Sequence, residues 1–383
     1  MSWIKRHLDP FLAILLGLFT FSTLTILLLN YGKTMFNIDS YAYLYTAISI
    51  AKGSGEFSVS PFVNIMSIVV RLLGDSGDVI FPLRIMNITF SIQLIIFIFL
   101  IARRIFNPIF SAFTALMALF LPLFQSYAIT LHNDIFAASM GFTSLYFIVK
   151  PKLVNLVLAM LFFFLAVLTR PDAFPIYIIP LSIGTIMWIR KKTGWNLHPL
   201  STGIILIILM EVAYVTMQGY YYSTTRFNPL EKFILFLRFD IIKVVWEGSI
   251  AITGNDLLDT LYPYLILIGI LLSIFIHRVK ILHILRVRQY KVKEADMMAL
   301  CLTFAFIASL ASLVGFHVRY SIVNDQIIVD YNITPRYFIP IQLFMVYGFT
   351  YAFSNYSSEN LQLVKRLLVQ NLIKSKPKDT ATE

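Results

Sequence analysis

Hydrophobic runs of nearly 20 residues recur along the whole chain, with short polar segments between them. As helices, such runs match the roughly 30 Å hydrocarbon core of a bilayer. The pattern therefore predicts an all-α fold, a polytopic transmembrane helical bundle. We expect about ten spans, near residues 11–30, 80–102, 108–130, 135–149, 153–169, 173–189, 200–217, 261–276, 298–316 and 337–354.

Two shorter stretches between the first and second spans also carry apolar residues at helical spacing. One covers residues 40–52, and Asp39 and Ser40 suit its N-cap. The other covers residues 61–73. Both are too short to cross a bilayer, so they predict interfacial helices in the first extracytoplasmic loop. Residues 229–246 predict a third such helix.

Charge distribution sets the predicted orientation. Only 13% of residues are charged, against about 25% in soluble domains. Most of the 31 basic residues fall in alternate connecting segments, as the positive-inside rule requires for cytoplasmic N- and C-termini. The net charge of +11 then indicates contact with anionic membrane lipids and no nucleic-acid partner. We expect an integral protein of the plasma membrane.

The loops differ in length, and the longest predicted ones lie on the outer side, where we expect the functional residues. Residues 1–354 form the expected transmembrane domain, with 31–79 and 218–260 as long extracytoplasmic loops. Residues 355–383 form a basic cytoplasmic tail. The sole cysteine, Cys301, excludes an intrachain disulfide and a cysteine-based zinc site.

Two acidic positions on the predicted outer side could carry chemistry. Asp39 could act as a general base or metal ligand, or could simply cap its helix. His132 and Asp134 could bind a metal or orient an acceptor. The alternative is a polar turn in which Asn133 or Asp134 caps the next helix.

Basic residues at span ends form a second group of candidates. Arg170, two residues before Asp172, could bind a phosphate, form a buried ion pair or extend to lipid headgroups. Arg336 and Tyr337 could bind phosphate and substrate, or could anchor the last span in the interface. Arg319 is a further cation candidate.

Two residues inside predicted spans are also notable. Glu211 is a candidate functional group by default, but it could also be protonated and paired with a neighbouring helix. Asn87 begins a glycosylation sequence pattern, although its place within a span predicts that it is inaccessible.

The absence of nucleotide-binding motifs from the sequence narrows the class of donor substrate. The chain has no Walker A loop and no dinucleotide fingerprint, and its inner loops carry no acidic pair for a metal–nucleotide. A soluble nucleotide donor is therefore disfavoured. Outer carboxylates, arginines and interfacial helices suit a donor that is both lipid and phosphate.

Four segments together resemble the polytopic glycosyltransferases of the GT-C fold. They are residues 37–41, with Tyr41 followed by Tyr45; 132–134; 168–172; and 335–337 with Pro340. The chain is similar to the protein O-mannosyltransferase and lipid A aminoarabinose-transferase group over roughly residues 1–350.

The resemblance implies specific roles. Asp39 corresponds to the family's catalytic acid, and Asp134 to its second acid. The implied donor is a sugar on a polyprenyl phosphate, usually transferred with inversion. The chain lacks the Trp-Trp-Asp signature of oligosaccharyltransferases, so transfer of a single sugar is expected. The tail after the last span is short, with no soluble C-terminal domain expected.

The resulting hypothesis makes the chain a membrane hexosyltransferase, with residues 1–354 as its transmembrane glycosyltransferase domain and 31–79 as its catalytic loop. Asp39 activates a hydroxyl of a lipid, glycan or protein acceptor on the extracytoplasmic face, and Asp134 positions the acceptor or shares a divalent metal ion with Asp39. A metal is not required by the sequence. Arg170, Arg336 and Arg319 are the expected donor phosphate contacts. The expected substrate contacts are Tyr41, Tyr45, His132, Asp172, Glu211 and Tyr337.

Two other hypotheses stay open. In the first, the chain is a transporter or lipid flippase, with Arg170, Glu211 and Arg336 along the substrate path. In the second, it is a non-catalytic subunit of a glycosylation complex.

Overall fold

A computed structural model describes residues 2–31, 38–74, 78–149, 152–193, 294–323, 326–331, 339–351 and 354. Helices dominate these residues, and one β-hairpin is also present. The helices are α1 (Ser2–Tyr31), α2 (Ile38–Ala51), α3 (Pro61–Leu73), α4 (Ile80–Ala102), α5 (Pro108–Leu119), α6 (Pro122–Ala128), α7 (Asn133–Ile148), α8 (Leu153–Thr169), α9 (Ala173–Thr193), α10 (Glu294–His317) and α11 (Ile339–Tyr351). The strands are β1 (Val318–Val323) and β2 (Gln326–Tyr331).

Two described helices are long and apolar enough to cross a membrane by themselves. They are Leu8–Tyr31, within α1, and Ile80–Ala102, which is α4. Counting the bent pair α5 and α6 as one span raises the number to three. The helical character is confirmed, but the described residues do not confirm about ten spans. The predicted spans 200–217 and 261–276 lie outside them.

The predicted single span at residues 108–130 is two helices. Helix α5 ends at Leu119, α6 begins at Pro122, and their axes differ by 66°. Pro122 lacks an N–H, and its ring disfavours a helical conformation at Leu121. The chain therefore bends where the hydrophobic pattern alone predicts continuity.

Helix α7 lies at the centre of the bundle. It packs against α4, α8 and α9, and nearly every side chain from Asn133 to Leu145 is buried. A helix that is buried all round carries no amphipathic stripe. Gly141 permits a close approach to α9, since a Cβ there would overlap the ring of Tyr177.

Side-chain contacts align α7 with α4. The Gln93 side chain donates to the hydroxyl of Thr143 at 3.1 Å, and the rings of Phe90 and Phe136 pack edge to face. The two helices therefore run in the same direction. The start of α4, the turn before α7 and the turn between α8 and α9 consequently lie at one end of the bundle.

Helix α11 runs in the same direction as α4. Near its end, the Tyr347 hydroxyl donates to the Ile98 carbonyl at 3.0 Å, and the hydroxyls of Thr114 and Thr350 are 2.9 Å apart. Ile98 lies near the end of α4. The start of α11 therefore lies toward the end of the bundle where α4 begins.

Strands β1 and β2 add a short antiparallel pair to the otherwise helical fold. They follow α10 directly and pair antiparallel, with Val318 opposite Tyr331. Both strands are rich in β-branched residues and each carries a tyrosine, which favours this conformation. The segment between the predicted spans 298–316 and 337–354 thus includes a pair of antiparallel strands.

The two short helices of the first predicted loop are both present and pack against each other. Helix α2 begins at Ile38, so Asp39 lies in its first turn rather than at the predicted N-cap. Gly53, with φ of 74°, follows the end of α2 and allows the chain to turn. The third predicted helix, residues 229–246, lies outside the described residues.

Candidate functional site at one end of the bundle

A buried cluster of four charged or polar side chains joins the turn before α7 to the turn before α9. Arg170 ends α8, and its guanidinium contacts the carboxylates of both Asp134 and Asp172. Its Nε donates to Asp172 Oδ1 at 2.8 Å, and Nη2 donates to the other oxygen. His132 Nδ1 lies 3.3 Å from Asp134 Oδ2. Two sequence motifs separated by 36 residues therefore form one cluster.

The local fold explains why these side chains meet. His132 occupies the N-cap position of α7, and Asp134 lies in the first turn. Neither Asn133 nor Asp134 is the helix cap, which corrects that alternative. Instead, the Asn133 side chain donates to the Thr169 carbonyl at 3.2 Å and holds the end of α8 against the start of α7.

Asn87 anchors the turn before His132. Its side-chain amide donates to the carbonyls of Tyr127, Ala128 and Thr130, at 3.0, 3.2 and 2.6 Å. Asn87 is fully buried, which confirms that its glycosylation pattern is inaccessible. Sequence analysis did not identify this anchoring role, since the partners lie about 40 residues away in the chain.

The cluster also contacts α10. The Ser312 hydroxyl donates to the backbone carbonyl of Asp172 at 2.7 Å. Ser312 lies in the last two turns of α10, shortly before the hairpin begins at Val318. Helices α4, α7, α8, α9 and α10 therefore all reach the same end of the bundle.

Aromatic rings enclose His132, which is 1% exposed. Tyr127 packs edge to face on its ring at a centroid distance of 4.8 Å, and Tyr43 does so at 6.5 Å. Tyr43 belongs to α2, the helix that carries Asp39. Residues four apart share a helix face, so the side of α2 that bears half-buried Asp39 faces the turn containing His132.

Of the other predicted site residues, Tyr41, Tyr45 and Arg319 are described in the structure, and three are not. Tyr41 and Tyr45 are 60% and 78% exposed, on the side of α2 away from Tyr43. Arg319 lies in β1 opposite Asp330 in the strand register. Glu211, Arg336 and Tyr337 lie outside the described residues, and their predicted roles stay predictions.

Arg84 is a buried cation that sequence analysis did not single out. It lies in the second turn of α4, three residues before Asn87 and on a shared helix face. An arginine inside a hydrophobic span is a functional candidate by default, and that was the available sequence signal.

Arg170 contacts the carboxylates of both Asp134 and Asp172, so neither acid is without a cation. With Asp134, Arg170 and Asp172 counted as ionised, these three residues carry one formal negative charge beside His132. Among the described residues, no three His, Cys, Asp or Glu side chains group as a metal site. The arrangement suits rigid positioning of the helix ends and contact with a polar or cationic group.

A family model for dolichyl-phosphate-mannose-protein mannosyltransferase matches residues 59–217. The match includes the 132–134 and 168–172 motifs and Arg84, but neither Asp39 nor Arg336. No curated protein and no solved structure matches the chain.

The apolar helices and this match together indicate an integral membrane protein of the glycosyltransferase type. The predicted resemblance to the GT-C membrane glycosyltransferases is confirmed, because residues 59–217 are similar to the dolichyl-phosphate-mannose-protein mannosyltransferases.

Proposed function

We propose that the protein transfers a single mannose from dolichyl-phosphate mannose, or a close polyprenyl-phosphate analogue, to an acceptor hydroxyl on the extracytoplasmic face. The family match supports the donor and a protein acceptor. The observation that carries the proposal is the contact between Tyr43 and His132. It brings the helix bearing Asp39 onto the buried cluster that lies within the matched segment.

Asp39 acts as the general base in this proposal. It takes the proton of the acceptor hydroxyl as the oxygen bonds to the anomeric carbon. The bond from that carbon to the phosphate oxygen breaks, and polyprenyl phosphate leaves with one additional negative charge. General-base catalysis typically contributes about 10²–10⁴-fold.

The leaving phosphate requires cations near the anomeric carbon. Arg170 can donate to the phosphate only from N–H groups that do not already contact Asp134 or Asp172. Its main role is therefore to hold those two carboxylates. We assign the phosphate contacts to Arg84, Arg336 and Arg319. The start of α11, three residues after Arg336 in sequence, lies toward the same end of the bundle as α4's start, in keeping with this assignment.

Replacing Asp39 tests the proposal. We expect Asp39→Asn to reduce mannose transfer by about 10²–10⁴-fold, because asparagine keeps the shape of the side chain but cannot accept the proton. The measurement is transfer of labelled mannose from dolichyl-phosphate mannose to a synthetic peptide rich in serine and threonine, in membranes containing the protein.

Glu56→Gln is the matched control. Glu56 is an exposed acid in the same predicted loop, between α2 and α3, so its neutralisation should leave transfer within twofold of wild type. Normal transfer by Asp39→Asn would exclude the general-base role. No transfer by the wild-type protein with this donor and peptide would exclude the donor–acceptor assignment.

A further inference from the structure

Helix α2 packs on its neighbours through one side. It packs against α3, and the two helices bury Leu44, Ala47 and Ile50 on one side and Phe62 and Met66 on the other. The Tyr43 ring packs on His132 and so joins α2 directly to the turn before α7. This contact therefore contributes to the position of α2 relative to the buried cluster.

Tyr43 also joins α2 to a wider set of aromatic contacts. Its ring packs edge to face on Phe62 of α3 at 6.1 Å, and Phe62 lies 5.9 Å from Phe136 of α7. Phe136 in turn packs on Phe90 of α4 at 4.7 Å. Tyr43 of α2 thus contacts Phe62 directly and is connected through it to Phe136 and Phe90.

Close contacts surround His132. It is buried, Tyr127 packs on its ring at 4.8 Å, and its Nδ1 lies 3.3 Å from Asp134. Asp134 is in turn bound by Arg170. A side chain that packs against His132 is therefore placed relative to Asp134 and Arg170 as well.

We propose that Tyr43 is a positioning residue: its ring, packed on His132, fixes α2 so that Asp39 one turn away meets the acceptor hydroxyl. This inference rests on the proposed function of Asp39. Edge-to-face ring pairs stabilise packing beyond the burial of their area. A misplacement of about 1 Å in a catalytic group can cost about 10²-fold in rate.

Kinetics of four variants test the proposal. Tyr43→Ala and His132→Ala should each lower kcat for transfer from dolichyl-phosphate mannose by about 10–10²-fold, with KM for the donor within twofold of wild type. The double variant should lose no more than the larger single loss, since both changes remove one contact. Tyr43→Phe keeps the ring and should restore kcat to within about threefold of wild type.

Hydrogen–deuterium exchange gives a second readout that does not depend on activity. Tyr43→Ala should raise amide exchange across residues 38–51, because α2 loses its tie to the cluster. The control is Phe57→Ala, which truncates an aromatic residue at a 77% exposed position in the loop between α2 and α3. It should change neither the exchange of residues 38–51 nor kcat.

Several outcomes would overturn the proposal. They are equal behaviour of Tyr43→Ala and Phe57→Ala, faster exchange without loss of kcat, additive losses in the double variant, or a raised donor KM with unchanged kcat. Normal transfer by Asp39→Asn would instead refute the proposed function, and exchange alone would then decide whether Tyr43 holds α2.

Discussion

Arg170 shows how a single residue can have several meanings in sequence and one set of contacts in the structure. Its position at the end of a hydrophobic run allowed a phosphate site, a snorkelling anchor or an ion pair. The structure shows the ion pair, with Asp134 and Asp172 as partners. Sequence could suggest Asp172, two residues away, but could not choose Asp134, because that pairing depends on how α7 packs against α8.

We expect Arg170→Gln to lower the free energy of unfolding by about 3–5 kcal/mol, because it leaves the buried Asp134 carboxylate without its cation. The double variant Asp134→Asn/Arg170→Gln should recover part of that loss, since neither charge then remains. Thermal unfolding in detergent measures both. Arg71→Gln, at an exposed arginine, is the control; an equal loss there would contradict the prediction.

Asn87 illustrates the same dependence on tertiary contacts. We expect Asn87→Leu to lower the free energy of unfolding by about 1–3 kcal/mol, because buried carbonyls before His132 lose their donor. Thr89→Val, on the exposed side of the same helix, should change it little. Intact mass should also show no glycan on Asn87 in a host that glycosylates; a glycan there would contradict its burial.

At the scale of helices, local sequence predicted existence and boundaries well. The predicted spans at 153–169 and 173–189 correspond to α8 (Leu153–Thr169) and α9 (Ala173–Thr193). Pro171 and the charges beside it interrupt the hydrophobic run and mark the boundary. The bend at Pro122 was missed because apolar residues continue on both sides of it.

The close packing of α7 on α9 gives a prediction at this scale. Gly141→Ala places a methyl group where the Tyr177 ring lies, and we expect a loss of about 1–3 kcal/mol in the free energy of unfolding. Gly17→Ala is the control, since its Cβ would meet Ile92 and Ile96 at an ordinary 3.5 Å. Thermal unfolding compares them, and adding Tyr177→Leu should relieve the Gly141→Ala overlap.

For the whole molecule, the main structural result is that the candidate site residues lie at one common end of the helical bundle. Positive-inside counting predicted that the 132–134 and 168–172 motifs share one side. The structure confirms that they share one end of the bundle and adds α10, through Ser312, to the same end. Its assignment to the extracytoplasmic side stays a prediction.

The sequence by itself determined the class of the molecule: a helical membrane protein with glycosyltransferase-like motifs at span ends. It could do so because hydrophobic run length and short motifs are local properties of the chain. Only the tertiary structure decided that Arg170 binds Asp134, that Asn87 holds a turn and that Tyr43, rather than Tyr41 or Tyr45, packs on His132. Those contacts join segments tens of residues apart, and helix packing alone sets which of them meet.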